Sequence, residues 1–233
     1  MAGQVGKQPD TGIWIVIPAY NEAGAIARVI AGLRPLGHRI VVIDDGSRDA
    51  TAALAAEAGA ELVRHPINLG QGAALQTGID YALLNGARTI VTFDADGQHR
   101  PADVPRLVEA LATHNVEYAL GSRFLDGTSN IPAARRALLR AATLFTRLTT
   151  RLTLTDAHNG LRAMTKRGAA NIRLRQNRMA HASELLAQIA ESGLPYVEVP
   201  VTIEYTRYSL AKGQKTSDSI AILVDLFARR LYQ

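Results

Sequence analysis

The chain has 233 residues, a net charge of +5 and no cysteine. This length suits one large α/β domain or two small ones, and the lack of cysteine excludes disulfides and thiolate zinc sites. No stretch approaches ~18 uncharged apolar residues, so no membrane-spanning helix is expected. Residues 1–12 lack the apolar segment of a signal peptide and are expected to be disordered.

Charge is distributed unevenly along the chain. Residues 1–116 hold 9 Lys and Arg against 12 Asp and Glu, whereas residues 117–233 hold 17 against 9. This asymmetry indicates an anionic partner near the second half: nucleic acid, a phosphorylated ligand or an acidic membrane surface. Aromatic residues make up only 5% of the chain and do not alternate with basic residues, so a nucleic-acid partner is not expected.

Apolar strand-like runs alternate with helical segments through the first half of the chain. Strands are predicted at 13–20, 39–47, 60–66, 88–94 and 116–124, and helices at 21–33, 49–59, 70–86 and 101–113. This alternation predicts an α/β fold with a doubly wound, mostly parallel sheet. Ligands bind such sheets at the carboxyl ends of the strands, and the polar clusters of this sequence follow the predicted strands.

Two aspartates, Asp94 and Asp96, stand one residue apart at the end of the fourth predicted strand. On one face of an extended segment their Cα atoms would be roughly 6.5 Å apart. At that distance their charges repel by ~2.5 kcal/mol at an effective dielectric of ~20. A divalent cation would reverse this repulsion, and oxygen ligands favour Mg²⁺ or Mn²⁺. Gln98 and His99 could complete the coordination shell.

Two other interpretations of this aspartate pair remain open. It could be a solvated acidic turn, or part of a two-metal phosphohydrolase site. The second normally needs more His and Asp ligands, and the chain has only 6 His.

The segment 132–154 carries five arginines and no acidic residue. At about 100° per residue, Arg136, Arg140, Arg147 and Arg151 form a narrow ridge. The predicted apolar face opposite consists of Leu138, Ala141, Ala142, Phe145, Leu148 and Leu152. Such a helix suits an anionic membrane surface, or it packs on the core or on another subunit. A second amphipathic helix is predicted at 218–231.

Seven sequence motifs occur together in the order of one family. They are VIPAYNE (16–22), VVIDDGSRDAT (41–51), NLGQGAALQTGIDYA (68–82), FDADGQH (93–99), GSRF (121–124), DAHNGLRAM (156–164) and ELLAQIAESGLPYVEVPV (184–201). The chain therefore resembles the family-2 inverting glycosyltransferases with the Rossmann-like GT-A fold. Within that family it is most similar to the dolichyl- and polyprenyl-phosphate sugar transferases, such as the dolichyl-phosphate mannose synthases.

The resemblance implies a GT-A domain at 13–205, followed at 206–233 by a basic flap and a C-terminal amphipathic helix. It also implies roles for individual residues. The residues implied to bind a UDP- or GDP-linked sugar are Pro18, Tyr20, Glu22, Asp45, Gln71, Asp94, Lys212 and Lys215. Asp94, Asp96 and Gln98 would hold Mg²⁺ or Mn²⁺ on the diphosphate. Relatives often have Lys where Gln71 stands, and the segment containing Lys212 and Lys215 departs from the usual Arg-Gly-Ser-Lys pattern.

The resemblance implies that Arg123 neutralises phosphate and that Arg162 does likewise near the sugar or the acceptor. It also implies that Asp96 is essential for transfer. The reaction implied is a metal-dependent inverting transfer to a polyprenyl phosphate at the inner face of the cytoplasmic membrane. The protein would be peripheral, or partnered by a separate membrane protein. A lipid phosphate is already an anion, whereas a hydroxyl acceptor would need a base, for which the candidates are Asp156, His181 and Glu184. A third alternative is a nucleotide-sugar-binding subunit without activity.

Overall fold

The structure is a computed structural model that describes residues 12–126, 133–176 and 180–204. In these residues seven strands form one sheet in the order β3-β2-β1-β4-β6-β5-β7. The strands are β1 Ile13–Ala19, β2 Arg39–Asp44, β3 Glu61–Arg64, β4 Thr89–Thr92, β5 Tyr118–Ser122, β6 Arg162–Thr165 and β7 Tyr196–Pro200. All neighbouring strands are parallel except β6, which runs antiparallel to both β4 and β5.

Helices cover both faces of the sheet. They are α1 Ile26–Leu33, α2 Thr51–Glu57, α3 Gln71–Leu84, α4 Asp103–Thr113, α5 Ala133–Thr150, α6 Lys166–Ala170 and α7 Ala180–Ser192. Side chains alternate between the two faces of a strand, so Ile15 and Ile17 of β1 pack in the core formed with α1 and α4. Trp14 and Val16 pack in the second core, formed with α3 and α7. No helix in the described ranges is long and apolar enough to cross a membrane.

The mixed α/β fold with a mostly parallel sheet is confirmed, and all five predicted strands are present. β6 and β7 were not predicted. β6 is the four-residue sequence RAMT, which carries no strand pattern of its own and gains its partners only from the neighbouring strands β4 and β5. In β7 (YVEVP) valine and glutamate alternate over only three residues before Pro200, too short a run to indicate a strand by itself.

The helix boundaries differ most from those predicted at the start of α1 and the end of α5. α1 begins at Ile26 rather than at residue 21, because Asn21 has φ 54° and the intervening residues form a turn. α5 ends at Thr150, because Arg151 has φ 62°. The predicted disordered segment 1–12, except Gly12, and the predicted flap and helix at 206–233, with Lys212 and Lys215, lie outside the described residues.

Helix α5 buries a face that is rotated from the predicted one. Ala142 is buried as predicted, but Thr143 and Thr146 are buried too, whereas Ala141 and Leu148 of the predicted apolar face are exposed. The threonines can be buried because their hydroxyls donate to backbone carbonyls one turn earlier: Thr143 to Leu139 and Thr146 to Ala142.

Candidate active site

A cavity of about 560 Å³ opens at the carboxyl ends of β1, β2 and β4. Ten residues predicted to bind substrate or metal line it: Pro18, Tyr20, Glu22, Asp45, Gln71, Asp94, Asp96, Gln98, Arg123 and Arg162. His181, one of the candidate bases, also lines the cavity, whereas Asp156 and Glu184 do not. The structure thus brings most of the predicted residues together, while their individual roles stay predictions.

Asp94 lies just beyond β4, against the backbone of the chain segment that leads into β6. A Cβ atom added at Gly160 would be 2.2 Å from Asp94 Oδ2, so only glycine leaves room for this carboxylate. His99 Nε2 is 2.9 Å from the same oxygen. Burial acts to raise the pKa of Asp94, but the hydrogen bond and charge of His99, together with the charge of Arg162, outweigh it and lower the pKa.

The pKa of Asp96 is shifted in the opposite direction to that of Asp94. Burial, and secondly the charge of Asp94, raise its pKa to about 6. Gln98 orients the Asp96 carboxylate, because its backbone N–H donates to Oδ1 at 3.0 Å and its side-chain amide donates to Oδ2 at 2.7 Å. Two adjacent carboxylates with such different pKa values form a site of high negative potential once both are ionised.

These residues fit a hard divalent cation, since two carboxylates and one amide supply only oxygen ligands. Within the described ranges no three Asp, Glu, His or Cys residues are grouped so as to hold a metal. A cation bound by Asp94, Asp96 and Gln98 would therefore need further ligands from water or from substrate. A diphosphate supplies such oxygen atoms.

Asp45 organises the loop before α3. Its Oδ1 accepts from the backbone N–H of Leu69 and is 2.8 Å from His65 Nδ1, and its Oδ2 accepts from the N–H of Gly70. Gln71 then begins α3, and the N-terminus of a helix favours an anion. The role of Asp45 toward a nucleoside stays a prediction, but in this structure it fixes the loop. The contribution of His65 was not predicted.

Arg123 forms part of one wall of the cavity and is paired with the buried Asp156. Arg123 Nε donates to Asp156 Oδ2 at 2.6 Å, and Arg123 Nη2 donates to the carbonyl of His158 at 2.6 Å. These two hydrogen bonds hold the Arg123 guanidinium in one orientation. Asp156 is thus placed behind Arg123 and binds it, rather than facing the cavity.

Glu198 of β7 holds the same wall from behind and was not predicted. Its carboxylate accepts from the backbone N–H groups of Thr155 and Asp156 and from the hydroxyl of Thr155. Burial raises the pKa of Glu198, against the opposing effect of these hydrogen bonds. The second predicted base outside the cavity, Glu184, accepts from the backbone N–H groups of Arg175 and Gln176 and so anchors the segment that precedes α7.

Arg162 differs from Arg123 in having no hydrogen-bonded or ion-paired partner for its side chain within the described ranges. It is 4% exposed and lines the cavity. In the described part of the chain no residue accepts a hydrogen bond from its side chain, and Asp94 and Asp156 act on it through their charges. Burial lowers its pKa, whereas those two charges raise it. A buried guanidinium with unused donors is a site for an anion.

Asn159 lines the same cavity as Arg162 and was not predicted. Its Oδ1 accepts from the N–H of Leu161 at 3.0 Å, and its buried Nδ2 has no hydrogen-bond partner among the described residues. This residue stands within the quoted motif DAHNGLRAM. The run of Asn, Gly and Arg around one turn was the signal that could have identified it.

Comparison with known proteins identifies the architecture. The model of the family described as glycosyl transferase family 2 matches residues 14–172. The chain is 32% identical over 223 residues to the UDP-N-acetylglucosamine–dolichyl-phosphate N-acetylglucosaminyltransferase of Methanococcus voltae, covering 86% of this chain and 89% of that protein. It is 31% identical to the undecaprenyl-phosphate mannosyltransferase of Micrococcus luteus, covering 80% and 81%.

A solved structure shows the same fold. The glucosyl-3-phosphoglycerate synthase of Mycobacterium tuberculosis, in complex with Mn²⁺, UDP-glucose and phosphoglyceric acid, superimposes with a TM-score of 0.71. Its sequence is 22% identical, and the match covers 93% of this chain and 79% of that chain. The predicted GT-A architecture is thereby confirmed.

The raised pKa of Asp96 predicts a pH-dependent stability difference for Asp96→Asn in the absence of metal. The protonated carboxyl favours the folded state below about pH 4, and this contribution is lost as the pH rises through about 6. The variant should therefore melt above the wild type at pH 7.5, and this difference should shrink toward pH 4. Thermal melts across this range measure it, with Glu57→Gln, at an exposed position of α2, as control. Parallel pH profiles of the wild type and Asp96→Asn would contradict the assignment.

Gly160→Ala should displace the Asp94 carboxylate, since the new methyl group would occupy its position. We expect the affinity of the protein for Mn²⁺, measured in the presence of a nucleoside diphosphate, to fall by about tenfold or more, because a displaced ligand binds the metal less well. Calorimetric titration measures this affinity. Gly32→Ala on α1, where the nearest atom is Pro101 Cγ at 3.1 Å, is the control; an unchanged affinity in Gly160→Ala would exclude the contact as a determinant.

Proposed function

Because the chain belongs to glycosyl transferase family 2, we propose that it transfers a sugar from a nucleoside diphosphate sugar to a polyprenyl phosphate, with inversion at the anomeric carbon. The activity as a glycosyltransferase follows from the family. The lipid-phosphate acceptor is supported by two relatives, one named for dolichyl phosphate and one for undecaprenyl phosphate. Both matches extend over most of both proteins.

The donor would bind along the strand ends from β1 to β4. Tyr20 is 41% exposed at the cavity mouth, a position suited to stacking on a base. The start of α3 at Gln71 faces the same cavity and suits the diphosphate. Asp94, Asp96 and Gln98 would hold Mg²⁺ or Mn²⁺, which when bound neutralises the charge that develops on the leaving nucleoside diphosphate.

The acceptor end is supported by one observation: Arg162 is a buried cation in the cavity wall, and none of its side-chain donors has an acceptor among the described residues. A phosphate monoester satisfies such a guanidinium by paired hydrogen bonds. Asn159 Nδ2, in the lining of the same cavity, is another donor without a partner in that part of the chain. Arg123, already fixed by Asp156, contributes positive charge without having to reorganise.

A phosphate acceptor also fits the positions of the candidate bases. Asp156 binds Arg123, and Glu184 binds backbone N–H groups outside the cavity. A phosphate monoester is largely ionised at neutral pH and can attack without giving up a proton to the protein. Attack on the side opposite the leaving group, in a single displacement, produces inversion.

The alternative is transfer to a hydroxyl of a glycan, lipid or small molecule. His181 is the candidate base that lines the cavity, and it is buried. A nucleotide-sugar-binding subunit without activity is less consistent with the paired carboxylates and the family. The proposed location is the inner face of the cytoplasmic membrane, by peripheral contact or through a separate membrane protein.

The proposal predicts product formation from a UDP- or GDP-linked sugar, a long-chain polyprenyl phosphate and Mn²⁺. Arg162→Gln should lower kcat/KM for the lipid phosphate by about a hundredfold while nucleotide binding, followed by thermal shift with Mn²⁺, is kept. Arg167→Gln on α6, whose side chain is 72% exposed, is the control. Turnover unaffected by excess chelator, or by Arg162→Gln, would refute the metal or the acceptor role respectively.

The two acceptor classes differ in their need for a base. With a phosphate acceptor, His181→Gln, Asp156→Asn and Glu184→Gln should leave the acidic limb of the pH–rate profile unchanged, even where binding is weakened. With a hydroxyl acceptor, loss of the base should lower kcat by about 10²–10⁴ and remove that limb. Steady-state profiles of the three variants on both acceptor types decide between these outcomes.

A further inference from the structure

Helix α5 exposes a continuous apolar strip to solvent. This apolar strip consists of Ala137, Ala141, Leu144 and Leu148, which are spaced three and four residues apart and so share one side of the helix. The two leucines supply most of its apolar surface, since Leu144 is 57% and Leu148 74% exposed. The opposite side of α5 is already buried against the protein, so the strip is not needed for folding of the described residues.

The strip is bordered by positive charge. Arg136, Arg140 and Arg147 are exposed along one flank of the strip, and no acidic residue occurs between Asp126 and Asp156. A second copy of the chain placed symmetrically on the strip would bring these arginines toward one another, and like charges repel. An anionic bilayer instead accepts leucine side chains among its acyl chains and arginines among its headgroups.

The chain segment that carries the strip begins and ends at residues beside the active site. The segment that contains α5 begins at Arg123, directly after β5, and ends at Asp156, and these two side chains form a buried 2.6 Å ion pair. Arg123 lines the cavity, and Arg162, which also lines it, begins β6 a few residues further on. A lipid phosphate must place its headgroup in the cavity while its hydrocarbon stays in the bilayer, so a bilayer contact close to this wall is required.

We infer that the apolar strip of α5 inserts into the surface of an anionic bilayer and holds the acceptor side of the cavity against it. This inference rests on the proposed function for the acceptor, but the contact itself is measurable without catalysis. The arginine flank lies at the headgroups, and Leu144 and Leu148 enter the interface.

The test compares Leu144→Gln/Leu148→Gln with Leu84→Gln, which alters an 86% exposed leucine at the end of α3. Co-sedimentation of the full chain with phosphatidylglycerol–phosphatidylcholine vesicles should fall by about tenfold or more in the double variant, since two leucines lose their burial. Leu84→Gln should bind as the wild type does. Arg140→Gln should weaken binding to these vesicles and reduce its salt sensitivity, with no effect on pure phosphatidylcholine.

Equal vesicle binding by the double variant and the wild type would overturn the inference. So would a wild-type dimer in light scattering that the double substitution converts to a monomer, because the strip would then be a self-interface. Unchanged thermal stability of the variant shows that loss of binding is not loss of folding.

Transfer assays separate this inference from the proposed function. The double variant should lose about tenfold or more of its activity toward polyprenyl phosphate embedded in vesicles, in line with its weaker binding. It should keep its activity toward a short, water-soluble polyprenyl phosphate. Failure of the wild type on both acceptors would refute the proposed acceptor, while vesicle binding would still decide the role of the strip.

Discussion

The direction of strand β6 is the constraint on which the active site depends. β6 enters the sheet antiparallel between β4 and β5, with Arg162 paired to Thr92. Its first residues therefore lie at the same edge as the carboxyl ends of the parallel strands. Thr92 fixes the approach by donating its hydroxyl hydrogen to the carbonyl of Gly160 at 2.6 Å. A parallel strand in this position would carry Arg162 to the opposite edge.

This arrangement brings three ionisable side chains, Asp94, Asp96 and Arg162, into one cavity. Asp94 stays ionised because His99 and Arg162 face it, whereas Asp96 is buried beside that charge and has a raised pKa. Arg162 is kept charged by Asp94 and Asp156 in spite of its burial. The cavity thus combines carboxylates suited to a cation with a buried guanidinium suited to an anion.

The first half of the fold could be predicted because each of its strands and helices carries its own pattern. The paired aspartates could be placed for the same reason, since they follow a strand visible in the sequence. β6 could not be predicted, because its pairing comes from strands distant in the chain. The partners of Glu198 and the buried face of α5 likewise depend on tertiary contacts. Thr146, for example, was not part of the predicted apolar face, yet it is buried with its hydroxyl satisfied within the helix.

The late position of β6 in the chain also bears on how the protein is made. β1 to β4 are consecutive parallel strands with their own connecting helices and contain the aspartates and the start of α3. The opposite wall, with Asn159, Gly160 and Arg162, is supplied by residues beyond the middle of the chain. A nascent polypeptide therefore cannot complete this cavity until the ribosome has passed the codons of β6.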